Sequence, residues 1–278
     1  MLAAVAFAAA CEHTIVDPPL PATAVALAPP LVYAKWWAMT TSCSGIPGSL
    51  GNVTFYVVPG VTQFKLNGET VSAYWTQGSN SIVIADSSVL DGSVVRHEML
   101  HSLIRTSGHP RSAFLEKCLG VVSCTPGCVS DAGPPPNLTS IPPVVPSDSI
   151  EIQISFLPDV PSSTIDGGVF TMVVSAHNKA DHPVIASLIA LGGAEAAPFS
   201  YDIRPAFSPG GRITGAFNLD DPAATRFAAG ETKRQYFDFV IGQTVRNRTV
   251  TNGVYRISAA YGFHSTIIPQ FTITAPPP

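Results

Sequence analysis

Between about Thr125 and Ser149 the chain carries Pro126, Pro134, Pro135, Pro136, Pro142, Pro143 and Pro146, with few periodic apolar positions among them. Proline fixes φ and lacks a backbone N–H, so neither a continuous helix nor an interior strand runs through such a stretch. Residues 129–149 read as a stiff linker. The linker divides the 278 residues into two parts, each long enough to build its own core.

Beyond the linker the pattern is that of strands only: Ile150 to Phe156, Val169 to Ala176, Val184 to Leu191, Phe199 to Ile203, Gly211 to Leu219, Arg234 to Ile241, Gly253 to Tyr261 and Gln270 to Thr274. Short strands at this density, with turn signals between them, predict an all-β immunoglobulin-like sandwich over 150–278. The last cysteine is Cys128, so this sandwich has no disulfide between its sheets. Its histidines, His177, His182 and His264, are not at ligand spacing and read as loop or strand-end residues.

Ahead of the linker, helical and strand periodicities alternate. Leu31 to Thr41 sets Val32, Trp36, Trp37 and Met39 on one face, predicting a helix whose aromatics pack on a sheet. Asn52 to Val58, about Thr70 to Trp75, and Ser81 to Asp86 read as strands, with a hairpin-type turn at Asn67-Gly68. Trp36 and Trp37 read as packing residues, with a cleft role as the alternative, and Tyr56 and Tyr74 as strand aromatics or oxyanion donors. From about Asp91 to Thr106, Val94, Val95, Met99, Leu100, Leu103 and Ile104 recur every three or four residues. This is a buried helix, with Asp91 or Ser93 as its N-cap and Gly108 followed by His109-Pro110 as its stop. A further helix is predicted over Arg111 to Leu119.

The helix also carries His97-Glu98-Met99-Leu100-His101. Residues four apart lie one turn apart on one helix face, so the two imidazoles can reach one ion. Glu98 flanks that face, placed as a base rather than a ligand: a zinc-bound water has a pKa near about 7 and would give up its proton there. Zinc needs a third protein ligand. His109 is the preferred candidate because the chain turns at Gly108; Glu116, farther along the next helix, is the rival.

His97-Glu98-Met99-Leu100-His101 resembles the active-site helix of the zincin metallopeptidases, and Gly108-His109 is similar to the third-ligand turn of metzincins. Metzincins read HExxHxxGxxH; here Ile104 and Ser107 hold the last two marked positions, and Gly108-His109 comes later. No methionine follows before Met172, so the methionine turn of that group is missing. The stretch also looks like uncharacterised bacterial secreted or lipoprotein-like zincins. The resemblance implies an α+β zincin-like domain over 31–128, a Zn2+ cofactor held by His97 and His101, Glu98 as general base, and a peptide or protein substrate.

The first eleven residues, Met1 to Cys11, form a short apolar stretch ending in cysteine, similar to a signal peptide with a bacterial lipobox. Alanine three residues before Cys11 and the absence of Lys or Arg before Lys35 depart from that pattern. A lipidated Cys11 attached to the membrane, an ordinary cleaved signal peptide and a plain N-terminus therefore stay open. Residues 12–30 read as a tether. Cys43, Cys118, Cys124 and Cys128 remain, an even number that fits disulfides outside the cytoplasm. The preferred pairing is Cys43 with Cys118 and Cys124 with Cys128, against a rival reading as a second, structural zinc site.

Only 12% of residues are charged and the net charge is −4, which gives no electrostatic basis for a nucleic-acid partner. Two function classes follow. One is a secreted or envelope-anchored zinc hydrolase, a metallopeptidase for preference. The other is a non-catalytic cell-surface binding protein with a degenerate or structural zincin domain and an Ig-like binding module.

Overall fold

The computed structural model describes residues 17–124, 126–132, 149–157, 168–185, 199–205, 213–217, 225–241, 249–250, 253–261 and 264–273. The stretch Met1 to Cys11 and most of the linker lie outside the described residues. The chain is mixed α/β, with several sheets and few helices.

The N-terminal part begins with β1 (Val25–Ala26) and α1 (Val32–Ser44), followed by β2 (Thr54–Val58), β3 (Phe64–Leu66), β4 (Glu69–Val71), β5 (Ala73–Thr76) and β6 (Ser81–Ala85). Its sheet runs β1-β2-β6-β5, with β2 and β6 parallel and the other pairs antiparallel. Every residue of β6 is buried because both faces are covered. Ile82 and Ile84 pack toward the helices with Trp36, Val95 and Met99, while Val83 packs on the other face with Val58 and Tyr74. Two-sided burial turns an alternating pattern into a continuous apolar run. Asn67 and Gly68, both at positive φ, turn the β3–β4 hairpin at the expected place.

The metal-motif helix, α2 (Gly92–Ile104), starts at Asp91, whose carboxylate accepts from the Ser93 N–H and hydroxyl. Its end differs from the expectation. The stop is not Gly108 but Arg105, in the left-handed conformation at φ 58°, with its N–H bonded to the His101 carbonyl. Downstream, Ser112–Lys117 is a single turn of π-helix, shorter than the helix expected over Arg111 to Leu119. A short helix, α3 (Pro126–Asp131), opens on a proline inside the stretch read as irregular; proline suits a first helical position, where no N–H is needed. The disulfides are Cys43–Cys118 and Cys124–Cys128. The first ties the end of α1 to the segment after the π-turn.

The C-terminal part consists of β7 (Ile150–Leu157), β8 (Val169–Asn178), β9 (Val184–Ile185), β10 (Phe199–Pro205), β11 (Ile213–Phe217), β12 (Arg226–Phe227), β13 (Thr232–Ile241), β14 (Thr249–Val250), β15 (Gly253–Tyr261) and β16 (His264–Ile273). They form two four-stranded sheets, β11-β10-β15-β16 and β14-β13-β8-β7, which share one aromatic-rich core, and β9 pairs separately with β12. β16 is twice the expected length, and the expected end of the Val184 strand, 186–191, lies outside the described residues.

The two parts are packed together. Along β13, Phe237 and Phe239 point into the core that the two four-stranded sheets share. The alternate residues Tyr236 and Val240 join the cores around the metal-motif helix, and Val169 of β8 does the same. Asp238, between them, reaches Arg96 of α2.

Candidate metal centre

Helix α2 places His97 and His101 one turn apart, and the chain reversal after Arg105 brings His109 back beneath them. The Nε2 atoms converge: His97 lies 3.1 Å from His109 and 3.1 Å from His101. Two tetrahedral ligands on a metal at about 2.05 Å stand about 3.3 Å apart. The donor atoms are thus already near the spacing that a shared ion imposes.

The outward nitrogens decide the tautomers. His97 Nδ1 meets the Ser123 carbonyl at 2.6 Å, and His101 Nδ1 meets the Thr106 carbonyl at 2.8 Å. His109 Nδ1 meets Asp131 Oδ2 at 2.8 Å. All three partners can only accept, so each Nδ1 carries a proton, and a neutral imidazole held this way turns its Nε2 lone pair inward. Three lone pairs facing one another repel unless a cation lies among them. An acceptor behind each imidazole is also the arrangement that orients metal-bound histidines.

Local electrostatics agree. Desolvation, then the neighbouring His101 charge, hold His97 down at about 3, opposed by its bond to the Ser123 carbonyl. Desolvation takes His101 down to about 4. Both imidazoles are therefore neutral at pH 7 and able to donate to a metal. Burial pushes Glu98 up to about 8, with the Trp75 backbone N–H working against it.

The walls are aromatic. Phe114, fully buried on the π-turn, lies 5.0, 5.0 and 4.8 Å from the His97, His101 and His109 rings, centroid to centroid. Trp75 of β5 lies nearly parallel to His101, at 9°. Its indole N–H donates to Asn80, whose side-chain oxygen also takes the Ser102 hydroxyl of α2. The β5–β6 turn and the metal-motif helix are thereby held in one register.

Of the residues singled out in the sequence, His97, His101 and His109 come together, with Glu98 beside them on α2. Glu116 does not: it is exposed and pairs at 3.9 Å with Arg111. Cys128 Sγ comes within 4.8 Å of ligand atoms of His97 and His109, but it is bonded to Cys124 and offers no thiolate. Sequence reasoning missed Asp131, Ser123, Thr106 and Phe114. Asp131 had one available signal: Pro126 is a residue suited to the first position of a helix. The two carbonyls had none, since any residue supplies one.

No protein-family model and no curated protein match the chain. Among solved structures, it is similar to the alkylpurine DNA glycosylase AlkC of Pseudomonas fluorescens bound to DNA containing an abasic site analogue. The match has 15% identity, covers 46% of this chain and 31% of that one, and has a TM-score of 0.30. A second similarity is to the putative ApaA protein of Bordetella pertussis, at 14% identity over 46% of this chain and 92% of that one, with a TM-score of 0.23. Likenesses this loose carry no argument about activity.

Proposed function

We propose that the protein is a zinc-dependent hydrolase acting on peptide bonds, with His97, His101 and His109 as zinc ligands and Glu98 as general base. One observation supports it above the others: three Nε2 atoms converge while every Nδ1 is committed outward to an acceptor. Three protein nitrogens suit a catalytic zinc, whereas structural sites close all four positions.

Zinc held there would supply Lewis acidity, lowering the pKa of a bound water from about 15.7 to about 7. Glu98 takes the proton of the attacking water and returns it to the leaving amine. Its burial favours the neutral carboxyl, and a divalent charge on the neighbouring imidazoles favours the carboxylate that a base requires. Trp75 and Phe114 keep water from the imidazoles' flanks.

The same reading takes the N-terminal part as a zincin-like domain. It takes the paired sheets sharing one core as an immunoglobulin-like sandwich. The two disulfides fit an oxidising, extracytoplasmic setting.

The test combines metal analysis with Glu98→Gln. The expected result is one zinc per chain and cleavage of a mixed peptide library. E98Q should keep the zinc and lose about 10²–10⁴-fold in rate, the range for a missing general base. A wild-type protein that holds zinc and cleaves no peptide would refute the hydrolase and favour a surface-binding protein.

A further inference from the structure

We infer that Asp238, on the C-terminal sheet, is a positioning residue for the metal-binding histidines and acts through Arg96. Asp238 Oδ2 lies 2.9 Å from Arg96 Nη1, and the two side chains are 2% and 0% exposed. The contact is an ion pair without hydrogen-bond alignment, since neither Nη1 nor Oδ2 has a directed partner. The aligned bonds lie on either side: Thr171 Oγ1 donates to Asp238 Oδ1 at 2.6 Å, and Arg96 Nε donates to the Val121 carbonyl. The guanidinium also lies over the Trp36 ring of α1, 5.8 Å from its centroid.

These contacts lead to the ligands. Arg96 directly precedes His97 on α2, and Val121 lies two residues before Ser123, whose carbonyl fixes His97 Nδ1. One guanidinium therefore anchors both the helix that carries His97 and the segment that sets its ring. The carboxylate holding that guanidinium comes from the other half of the chain.

Stability alone is a poor account of the pair. A buried ion pair is commonly replaced by apolar residues of similar volume at no loss of stability, whereas removal of one partner is costly. The backbone is also fitted to this junction. A Cβ at Gly92 would collide with Asp238 and Arg96, and one at Gly120, at φ 84°, would run into the Arg234 carbonyl. Gly120 in turn accepts the Tyr236 N–H and the Gln235 side-chain amide. The sandwich is thus part of the metal centre's scaffold and not a detachable module.

The metal-affinity readout of the test rests on the zinc reading; the second readout does not. Full-length wild type, Asp238→Asn and the double variant R96M/D238L are compared in zinc affinity, by chelator competition, and in the ¹⁵N resonances of His97 in the metal-free protein. D238N should bind zinc measurably more weakly, by less than the about 10–100-fold that follows loss of a partner bonded directly to a ligand. R96M/D238L should melt near the wild-type temperature yet still bind zinc weakly and lose the fixed Nδ1–H tautomer of His97. A double variant that restores both affinity and tautomer would show the pair to be merely structural and overturn the inference. So would an unchanged His97 signature in D238N, which applies even if the double variant does not fold. If wild type binds no zinc, the hydrolase reading fails by itself, and the His97 resonances still decide the role of Asp238.

Discussion

Opposed shifts at the metal centre give the metal-free protein a stability maximum near pH 6.5. His97 and His101, ordinarily 6.5, are held down at about 3 and about 4 when folded. Between those values and 6.5 the unfolded chain binds more protons, so stability falls as pH falls. Glu98 works in the other direction: raised from 4.5 to about 8, it binds a proton in the folded state that the unfolded chain has released, so stability falls as pH rises toward 8. At pH 6.5 the two unfolded imidazoles together bind about one proton and folded Glu98 binds about one, so the slopes cancel there. Integration gives a loss of about 1 kcal/mol from pH 6.5 to 5 and about 1 kcal/mol from 6.5 to 8.5. Urea denaturation of chelator-treated protein at intervals across that range would trace the curve. Glu98→Gln should remove the alkaline loss and keep the acid one, and His97→Gln should flatten the acid arm. The reasoning fails if E98Q still loses stability above pH 6.5 as wild type does.

Three further outcomes are expected. Asp131→Asn should weaken zinc binding by about 10–100-fold, because one carboxylate oxygen holds both the backbone N–H and Nδ1 of His109 at 2.9 and 2.8 Å; competition titration measures it. Phe114→Ala should cost about 3–5 kcal/mol in thermal or chemical unfolding, the range for a large aromatic lost from a core, since Phe114 is fully buried against all three imidazoles. Arg105→Gly should leave zinc affinity unchanged and raise stability by about 0.5–1 kcal/mol: relief of a left-handed conformation costing about 1–2 kcal/mol exceeds glycine's added unfolded-state entropy. Weaker zinc binding by R105G would mean that the Arg105 side chain, and not its backbone shape, builds the turn.

What was legible in the sequence is what local periodicity and spacing encode. The buried run of β6, the Asp91 cap, the Asn67-Gly68 turn and the convergence of three histidines all follow from neighbours within a few residues. The disulfide partners were legible because few cysteines were available. The acceptors behind the imidazoles were not, because Ser123 and Thr106 act through backbone carbonyls that any residue would supply. Asp131 was hidden by the prolines around it, which dominated the reading of its segment. Asp238 and Arg96 were visible only as anomalies, a carboxylate inside an aromatic strand and a guanidinium inside an apolar helix. Nothing local says that two such anomalies meet across the chain.

The position of the third histidine has a physical reason in the helix end. In the metzincin pattern a glycine turns the chain three residues after the second histidine; here Ile104 holds that position and α2 includes it. The reversal falls instead on Arg105, after which the Thr106 carbonyl captures His101 Nδ1. The Thr106 hydroxyl then accepts the Gly108 N–H, tightening the loop that delivers His109. The return path from this turn brings the third imidazole in from position 109. A side chain on such a loop lacks the rigidity of a helix. The Asp131 carboxylate restores it by fixing ring and backbone through one oxygen, and as an anion it makes the His109 imidazole a stronger donor than a carbonyl partner would. The late turn and the Asp131 carboxylate therefore act together to set the position of this one ring.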